Sequence, residues 1–178
     1  MALLERKYAG ALLACALAQK VDGEVARRIR ELDELLRRPD LRRLLADPRL
    51  GKERRLTLLL RLTGEPEGLF RNFLALVVER RREELLPAIC RDFCRLHLES
   101  RGTREGELET ARPLDPQEVD RLAGALARQL GVKKVLLTVR ENPGLMGGIR
   151  ATIGGRLFDA SAAGRLDELR RRLMSLPL

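Results

Sequence analysis

The stretch that decides the architecture is Ser100-Arg101-Gly102-Thr103-Arg104-Glu105-Gly106. It holds no apolar side chain and two glycines, the composition of a segment that few contacts cross, and the hydrophobic period changes on passing it. Upstream, apolar residues recur in steps of three and four. Leu4, Tyr8, Ala11/Leu12 and Cys15 form one such set, and Val25, Ile29, Leu32 and Leu36 another. Leu69, Phe73, Leu74 and Val77/Val78 form a third, and Leu86, Ile89/Cys90, Phe93 and Leu96/His97 a fourth. Each is the buried face of a helix. Pro39 and Pro48 interrupt the pattern because proline lacks the amide hydrogen and clashes with the preceding turn. Asp47-Pro48 reads as cap and first residue of a helix through Leu56, Leu59 and Leu60, and Gly64, Pro66 and Gly68 mark a bend. The expectation for residues 1–105 is a bundle of five to six helices.

Downstream, residues 106–178 read as a small alpha/beta domain with a short sheet flanked by helices. Leu108 to Arg112 can form a strand, and Asp115-Pro116-Gln117-Glu118 is a helix start in which Asp115 caps and Glu118 reaches back. Val119, Leu122, Leu126 and Leu130 line that helix, and Gly131 can end it in a left-handed conformation. Then the period becomes two: Val135, Leu137 and Val139 face one way, as do Ile149, Ala151 and Ile153, while Gly154-Gly155 permits a tight turn into Arg156-Leu157-Phe158. Leu166, Leu169 and Leu173 return to helical spacing beside the run Arg170-Arg171-Arg172. So thin a core gains from a partner.

Composition narrows the chemistry. The 178 residues carry 35 Lys+Arg against 26 Asp+Glu, one His, three Cys, one Tyr, four Phe and no Trp, for a net charge of +9. A lone His97 cannot build a histidine metal site, and Cys15, Cys90 and Cys94 do not make the paired clusters of a zinc module. Cys90 and Cys94 read as free thiols packed as small hydrophobes. No apolar run approaches the twenty or so residues of a membrane span. The opening MALLERKYAG places Glu5, Arg6 and Lys7 ahead of its apolar stretch, the wrong order for a secretory signal. Gly144, Gly147 and Gly148 lack the Lys-Ser/Thr of a phosphate loop and read as a turn in which the backbone approaches a neighbour closely. His97 has no local nucleophile and acid to work with and reads as a helix-surface residue. Glu83/Glu84 beside Arg80-Arg81-Arg82 read as a solvated, locally paired face. Arginine runs permit nucleic-acid binding, but aromatic interleaving is missing, so no stacking platform exists for single strands.

Several of these segments resemble one family in order and spacing. Arg6-Lys7-Tyr8-Ala9-Gly10-Ala11-Leu12 resembles the opening motif of the F-type ATP synthase delta subunit, the bacterial counterpart of the mitochondrial oligomycin-sensitivity-conferring subunit. Asn72-Phe73-Leu74 through Arg82 to Ile89 is similar to its central signature, and Ala111-Arg112-Pro113-Leu114 to its inter-domain phrase. The strongest match is Asn142-Pro143-Gly144-Leu145-Met146-Gly147-Gly148, followed by Ile153-Gly154, Asp159-Ala160-Ser161 and Arg165-Leu166. The chain departs from the family at Asn142, Ala160 and Ala163, where Asp, Gly and often a basic residue are common.

The resemblance implies a non-catalytic peripheral-stalk subunit with no cofactor and no metal. It implies that the N-terminal bundle caps the catalytic head and grips the N-terminal helix of an alpha subunit, a helix-in-groove contact. Tyr8, Ala9, Leu12, Leu13, Asn72, Leu76 and Arg80 are the candidate residues. It further implies that the C-terminal domain meets the C-terminal end of the b-subunit stalk, with candidates Leu145, Met146, Gly147, Gly148, Leu166 and Leu169. Leu145-Met146 is expected to form an exposed apolar step. No nucleic acid is expected, and membrane association is indirect, at the cytoplasmic face of the cell inner membrane through the complex. The alternative from another class is a basic helical RNA-binding or antitermination-like module, which requires a contiguous arginine face and strongly salt-dependent binding.

Overall fold

A computed structural model describes residues 2–47, 49–145, 147–162 and 164. The chain divides between Leu98 and Glu99 into two compact units. Among the described residues no helix is long and apolar enough to cross a membrane.

The first unit consists of α1 (Ala2–Ala18), α2 (Asp22–Leu36), α3 (Pro39–Ala46), α4 (Lys52–Leu62), α5 (Gly68–Glu79), a 3-10 turn (Glu83–Leu85) and α6 (Leu86–Ser100), whose last residues pass into the second unit. Its core gathers Val25, Ile29, Leu32 and Leu36 from α2 with Phe70, Phe73, Leu74 and Val77 from α5 and Leu86, Ile89, Cys90 and Phe93 from α6. Each such fully buried aliphatic or aromatic side chain contributes roughly 2 kcal/mol of transfer free energy.

The buried face of α1 differs from the expected one. Glu5, Ala9, Leu12, Leu13 and Ala16 point inward, while Ala11 and Cys15 are exposed. Ala2–Ala18 is rich in alanine and leucine all round, so spacing alone does not fix which stripe is inside.

Asp47 also has a different role. It is the C-cap of α3, and its Oδ1 accepts from the Arg49 amide at 2.9 Å, while α4 starts at Lys52 behind Gly51. Pro48 lies outside the described residues. Pro39, by contrast, opens α3 at its first position, where its missing N–H is harmless.

Two helices of this unit close on left-handed residues that are not glycine, Lys20 (φ 58°) and Arg81 (φ 53°), whereas α4 closes on Gly64 (φ 72°), followed by Glu65 (φ 47°). At α1 the Lys20 amide donates to the Leu17 carbonyl and the Val21 amide to that of Ala16; at α5 the Arg81 amide donates to Val78 and the Arg82 amide to Val77. These reversed-turn closures satisfy carbonyls that a helix end otherwise leaves open.

The second unit is a four-stranded sheet in the order β2-β1-β3-β4, built from β1 (Thr103–Thr110), β2 (Lys134–Glu141), β3 (Ile149–Ile153) and β4 (Arg156–Asp159), with α7 (Pro116–Leu130) between β1 and β2. β1 and β2 are parallel, with Leu108 opposite Val139, which is why a helix must carry the chain back. β3 pairs antiparallel with β1 and with β4. Leu108, Val135, Ala151 and Ile153 pack with Leu126 and Ala127 of α7. The α7 capping box forms as read: the Glu118 amide donates to Asp115 Oδ1 at 2.7 Å, the Asp115 amide donates to Glu118 Oε2 at 3.1 Å, and Gly131 closes the helix at φ 66°. Arg112 adds a bond of 2.5 Å to Glu118, which holds the Glu118 carboxyl below its usual range and raises the Arg112 guanidinium.

β1 begins at Thr103, inside the stretch read as a linker. Its Gly106 lies so close to β3 that a Cβ there would fall 2.5 Å from Ile153 Cγ1 and 2.9 Å from the Thr152 carbonyl oxygen. The glycine that signals a break in sequence is thus a close-packing residue in a strand. The expected final helix with Leu166, Leu169, Leu173 and Arg170-Arg171-Arg172 lies outside the described residues.

Candidate functional site

The residues of the opening and central motifs meet in the first unit. Tyr8, half-buried on α1, accepts a hydrogen bond of 2.7 Å on its hydroxyl from Arg82 Nη1, and the Arg82 guanidinium carbon sits 5.6 Å from the ring centroid. Phe73 is in the core. Asn72, Leu76 and Arg80, spaced by four residues at the end of one helix, are exposed, with Leu76 at 42%. Ala9, Leu12 and Leu13 are buried in the unit's own core, so their side chains are not available to a partner. α1 exposes the small residues Ala11, Ala14, Cys15 and Ala18, together with Leu17 at 46% and, near its start, Leu3 at 71%. α1 packs against α5.

Two local readings are overturned. His97 is not on the surface: it is 7% exposed, its Nε2 lies 3.0 Å from Asp22 Oδ2, and its ring stacks on Phe93 at 6.0 Å. The residue at α6's position 97 thus ties to the first turn of α2, a pairing 75 residues apart that no local pattern encodes. Glu83 is not part of a solvated face either. It is buried and accepts from Arg55 Nη1 at 3.1 Å, while Arg55 Nη2 donates to the Asp47 carbonyl at 2.7 Å. The three arginines beside it diverge, since Arg82 reaches Tyr8, Arg81 lines a cleft with Glu83 and Glu84, and Arg80 is exposed.

Cys90 is buried, and burial, with Asp33 and Cys94 nearby, pushes its thiol far above the ordinary range, so it stays protonated. Among the described residues no group of three His, Cys, Asp or Glu side chains could hold a metal ion.

In the second unit the strongest motif forms a tight corner. Leu145 is 4% exposed, so the expected exposed apolar step is instead an inward anchor of the loop; Met146 lies outside the described residues. A Cβ on Gly148 (φ 85°) would fall on the Ala160 carbonyl oxygen and 2.8 Å from Ser161 Cα. The Ala162 amide donates to the Gly147 carbonyl at 2.9 Å, so the glycine pair and the Asp159-Ala160-Ser161 segment are packed backbone to backbone. Asp159 Oδ1 accepts from both the Ser161 hydroxyl (2.6 Å) and its amide (2.9 Å), and Arg150 Nε approaches Oδ2 at 3.3 Å. These bonds, the Ser161 hydroxyl foremost, hold the Asp159 carboxyl below its usual range. Ser161 Oγ in turn accepts from the Gly164 amide at 3.0 Å. Asn142, where the family commonly has Asp, donates from Nδ2 to Glu109 at 2.8 Å, a bond an ionised Asp could not donate. Pro113 and Pro143 are exposed. Leu166 and Leu169 lie outside the described residues.

The geometry is that of packed helices and a locked loop, with motif residues serving as ties. Comparison with known proteins agrees. The profile of the ATP synthase delta (OSCP) subunit matches residues 4–173. The ATP synthase subunit delta of Heliobacterium modesticaldum is 35% identical over 179 residues, covering 97% of this chain and 94% of that protein. That of Bordetella petrii is 34% identical and covers 97% of each chain. The fold is also found in a chain of the Toxoplasma gondii mitochondrial ATP synthase hexamer, at a TM-score of 0.63 and 24% identity, with 98% of this chain and 99% of that one covered. Motifs, fold and relatives over nearly the full length place this chain in the ATP synthase delta (OSCP) subunit family.

Proposed function

We propose that the helical unit holds the N-terminal helix of an alpha subunit along the exposed faces of α1 and α5, and that the second unit meets the C-terminal end of the b-subunit stalk. As a member of its family the chain is a non-catalytic subunit of the peripheral stalk that links the F1 and F0 sectors, a peripheral component of a membrane-associated complex. The proposal adds which subunits it touches, with which faces, and the cytoplasmic side of the inner membrane as its place.

The observation that carries the alpha-subunit contact is Leu76. It is a large apolar side chain left 42% exposed on α5, flanked at four-residue spacing by Asn72 and Arg80. The neighbouring α1 exposes Ala11, Ala14, Cys15 and Ala18, small residues that let a third helix approach. For the stalk contact, burial removes Leu145 as a direct partner residue and leaves Met146, Gly147 and Gly148, with Leu166 and Leu169, as the proposed surface.

The test is titration calorimetry of the full chain against a synthetic N-terminal peptide of the same organism's alpha subunit, at low and high salt. Saturable 1:1 binding that survives salt is expected, and Leu76→Ala should weaken it about tenfold, the value of some 1.4 kcal/mol of lost apolar burial. Because Leu76 is exposed, the variant folds normally. Unchanged affinity in Leu76→Ala, or binding abolished by salt, refutes the placement.

A further inference from the structure

We infer that the first unit carries a second binding site, a cleft that takes a carboxylate-bearing, partly apolar segment of a partner protein. The cleft measures about 430 Å3 and is lined by Arg42 of α3, Arg55 of α4 and Arg81 at the end of α5, over a floor that includes Leu36 and Leu45. None of Asn72, Leu76 and Arg80 lines it, so it does not rest on the alpha-subunit reading.

Three observations converge on it. Arg55 is nearly buried, gives one Nη to Glu83 and the other to the Asp47 carbonyl, and leaves Nε with no hydrogen-bond partner. The guanidinium is therefore only partly satisfied from within the fold, and Arg55 brings a positive charge to the cleft wall. Arg81 occupies the left-handed position of the α5 closure at φ 53°, where glycine is the unstrained choice. Lys20 closes α1 in the same conformation, so the backbone there is a helix closure, and what matters for the site is that the Arg81 side chain lines the cleft. Arg42 is exposed and makes no ion pair among the described residues.

Charge selects among anions. Three guanidinium groups face two carboxylates, Glu83 and Glu84, so one positive charge is left over. A single carboxylate neutralises that, whereas a phosphate dianion or a nucleotide triphosphate overshoots it and meets Glu84 as a repulsive neighbour. The leucine floor gives the apolar part of the same segment somewhere to lie, which a free inorganic anion does not use. Planar guanidinium groups also bind carboxylates in paired, directional fashion.

The test uses the full chain and a fluorescein-labelled helical peptide of about 14 residues with leucines on one face and glutamates on the other, read by anisotropy. A matched peptide with Gln for Glu is the control. Saturable binding of the glutamate peptide alone is expected. Arg81→Gly, which relieves the left-handed backbone and so preserves the fold, should weaken it about tenfold, one charge-assisted contact. Glu84→Gln should tighten it severalfold, and Leu76→Ala should leave it unchanged. Equal binding of both peptides, or undiminished affinity in Arg81→Gly, overturns the site. Displacement of the peptide by millimolar inorganic phosphate or ATP overturns the carboxylate assignment in favour of a small-anion site. Loss of binding in Leu76→Ala would merge the site with the α1 and α5 face and overturn its independence.

Discussion

Replacing Glu83 by Leu should destabilise the helical unit by about 3 kcal/mol, the low end of what breaking a buried ion pair costs. The argument starts from exposure: the side chains of Arg55 and Glu83 are 13% and 5% exposed, so neither charge is well hydrated. Among the described residues Glu83, at 3.1 Å, is the only charged partner of Arg55, whose remaining bond is to the Asp47 carbonyl and whose Nε has none. Removing the carboxylate therefore strands a cation that is already under-satisfied. The cost stays at the low end because Arg55 borders an open cleft and can take up water. If both partners go, as in Arg55→Met with Glu83→Leu, no stranded charge remains, and stability should return to within about 1 kcal/mol of the native chain. The chain supplies its own probe. It has a single tyrosine and no tryptophan, and Tyr8 lies in α1, so tyrosine emission during urea unfolding reports the helical unit alone. A 3 kcal/mol loss shifts the folded-to-unfolded ratio by about two orders of magnitude, well outside extrapolation error. A Glu83→Leu variant within about 0.5 kcal/mol of native, or a double variant no better than the single, would refute the reasoning.

Gly148→Ala should cost the second unit at least about 2 kcal/mol, because the new Cβ meets the Ala160 carbonyl at a backbone angle that L side chains rarely adopt; amide exchange at Leu108 and Ile153 measures it, and native-like protection would contradict the packing. Asp159 has a folded pKa below its unfolded value of about 3.9, so its contribution is present above that pH and is lost as pH falls through the folded value. Ser161→Ala removes the foremost cause, and a carbon-detected NMR titration should show the Asp159 midpoint rising toward the ordinary range; no rise would show that the hydroxyl bond is not the cause.

The fold was legible where spacing or chemistry left one solution. The α2, α5 and α6 stripes and the Asp115 capping box with its closing Gly131 are of this kind, as is the alternation of Ile149, Ala151 and Ile153. The inner face of α1 was not, because alanine and leucine surround it and Glu5 is the residue turned inward. The start of β1 was hidden by Gly102 and Gly106, which look like a linker until a neighbouring strand is present to need the missing Cβ. His97 and Glu83 were misplaced for a common reason. Their partners, Asp22 and Arg55, are 75 and 28 positions away, and local charge statistics favour the bland surface reading. Of the candidate site, the α5 face with Asn72, Leu76 and Arg80 was visible as a period, while the burial of Ala9, Leu12, Leu13 and Leu145 depended on what packs beside them.

The end of α5 has a consequence for how the chain meets polyanions. On paper Arg80-Arg81-Arg82 is a dense positive block, but the helix stops beneath it and sends each guanidinium elsewhere: one to a phenol, one into the cleft and one to solvent. An RNA backbone lying along this surface would contact isolated charges and displace few condensed counterions, so its apparent affinity should fall only gently as salt rises. At this corner of the helical unit a run of three positive charges in sequence thus becomes three separate charges in space, and a polyanion meets them one at a time.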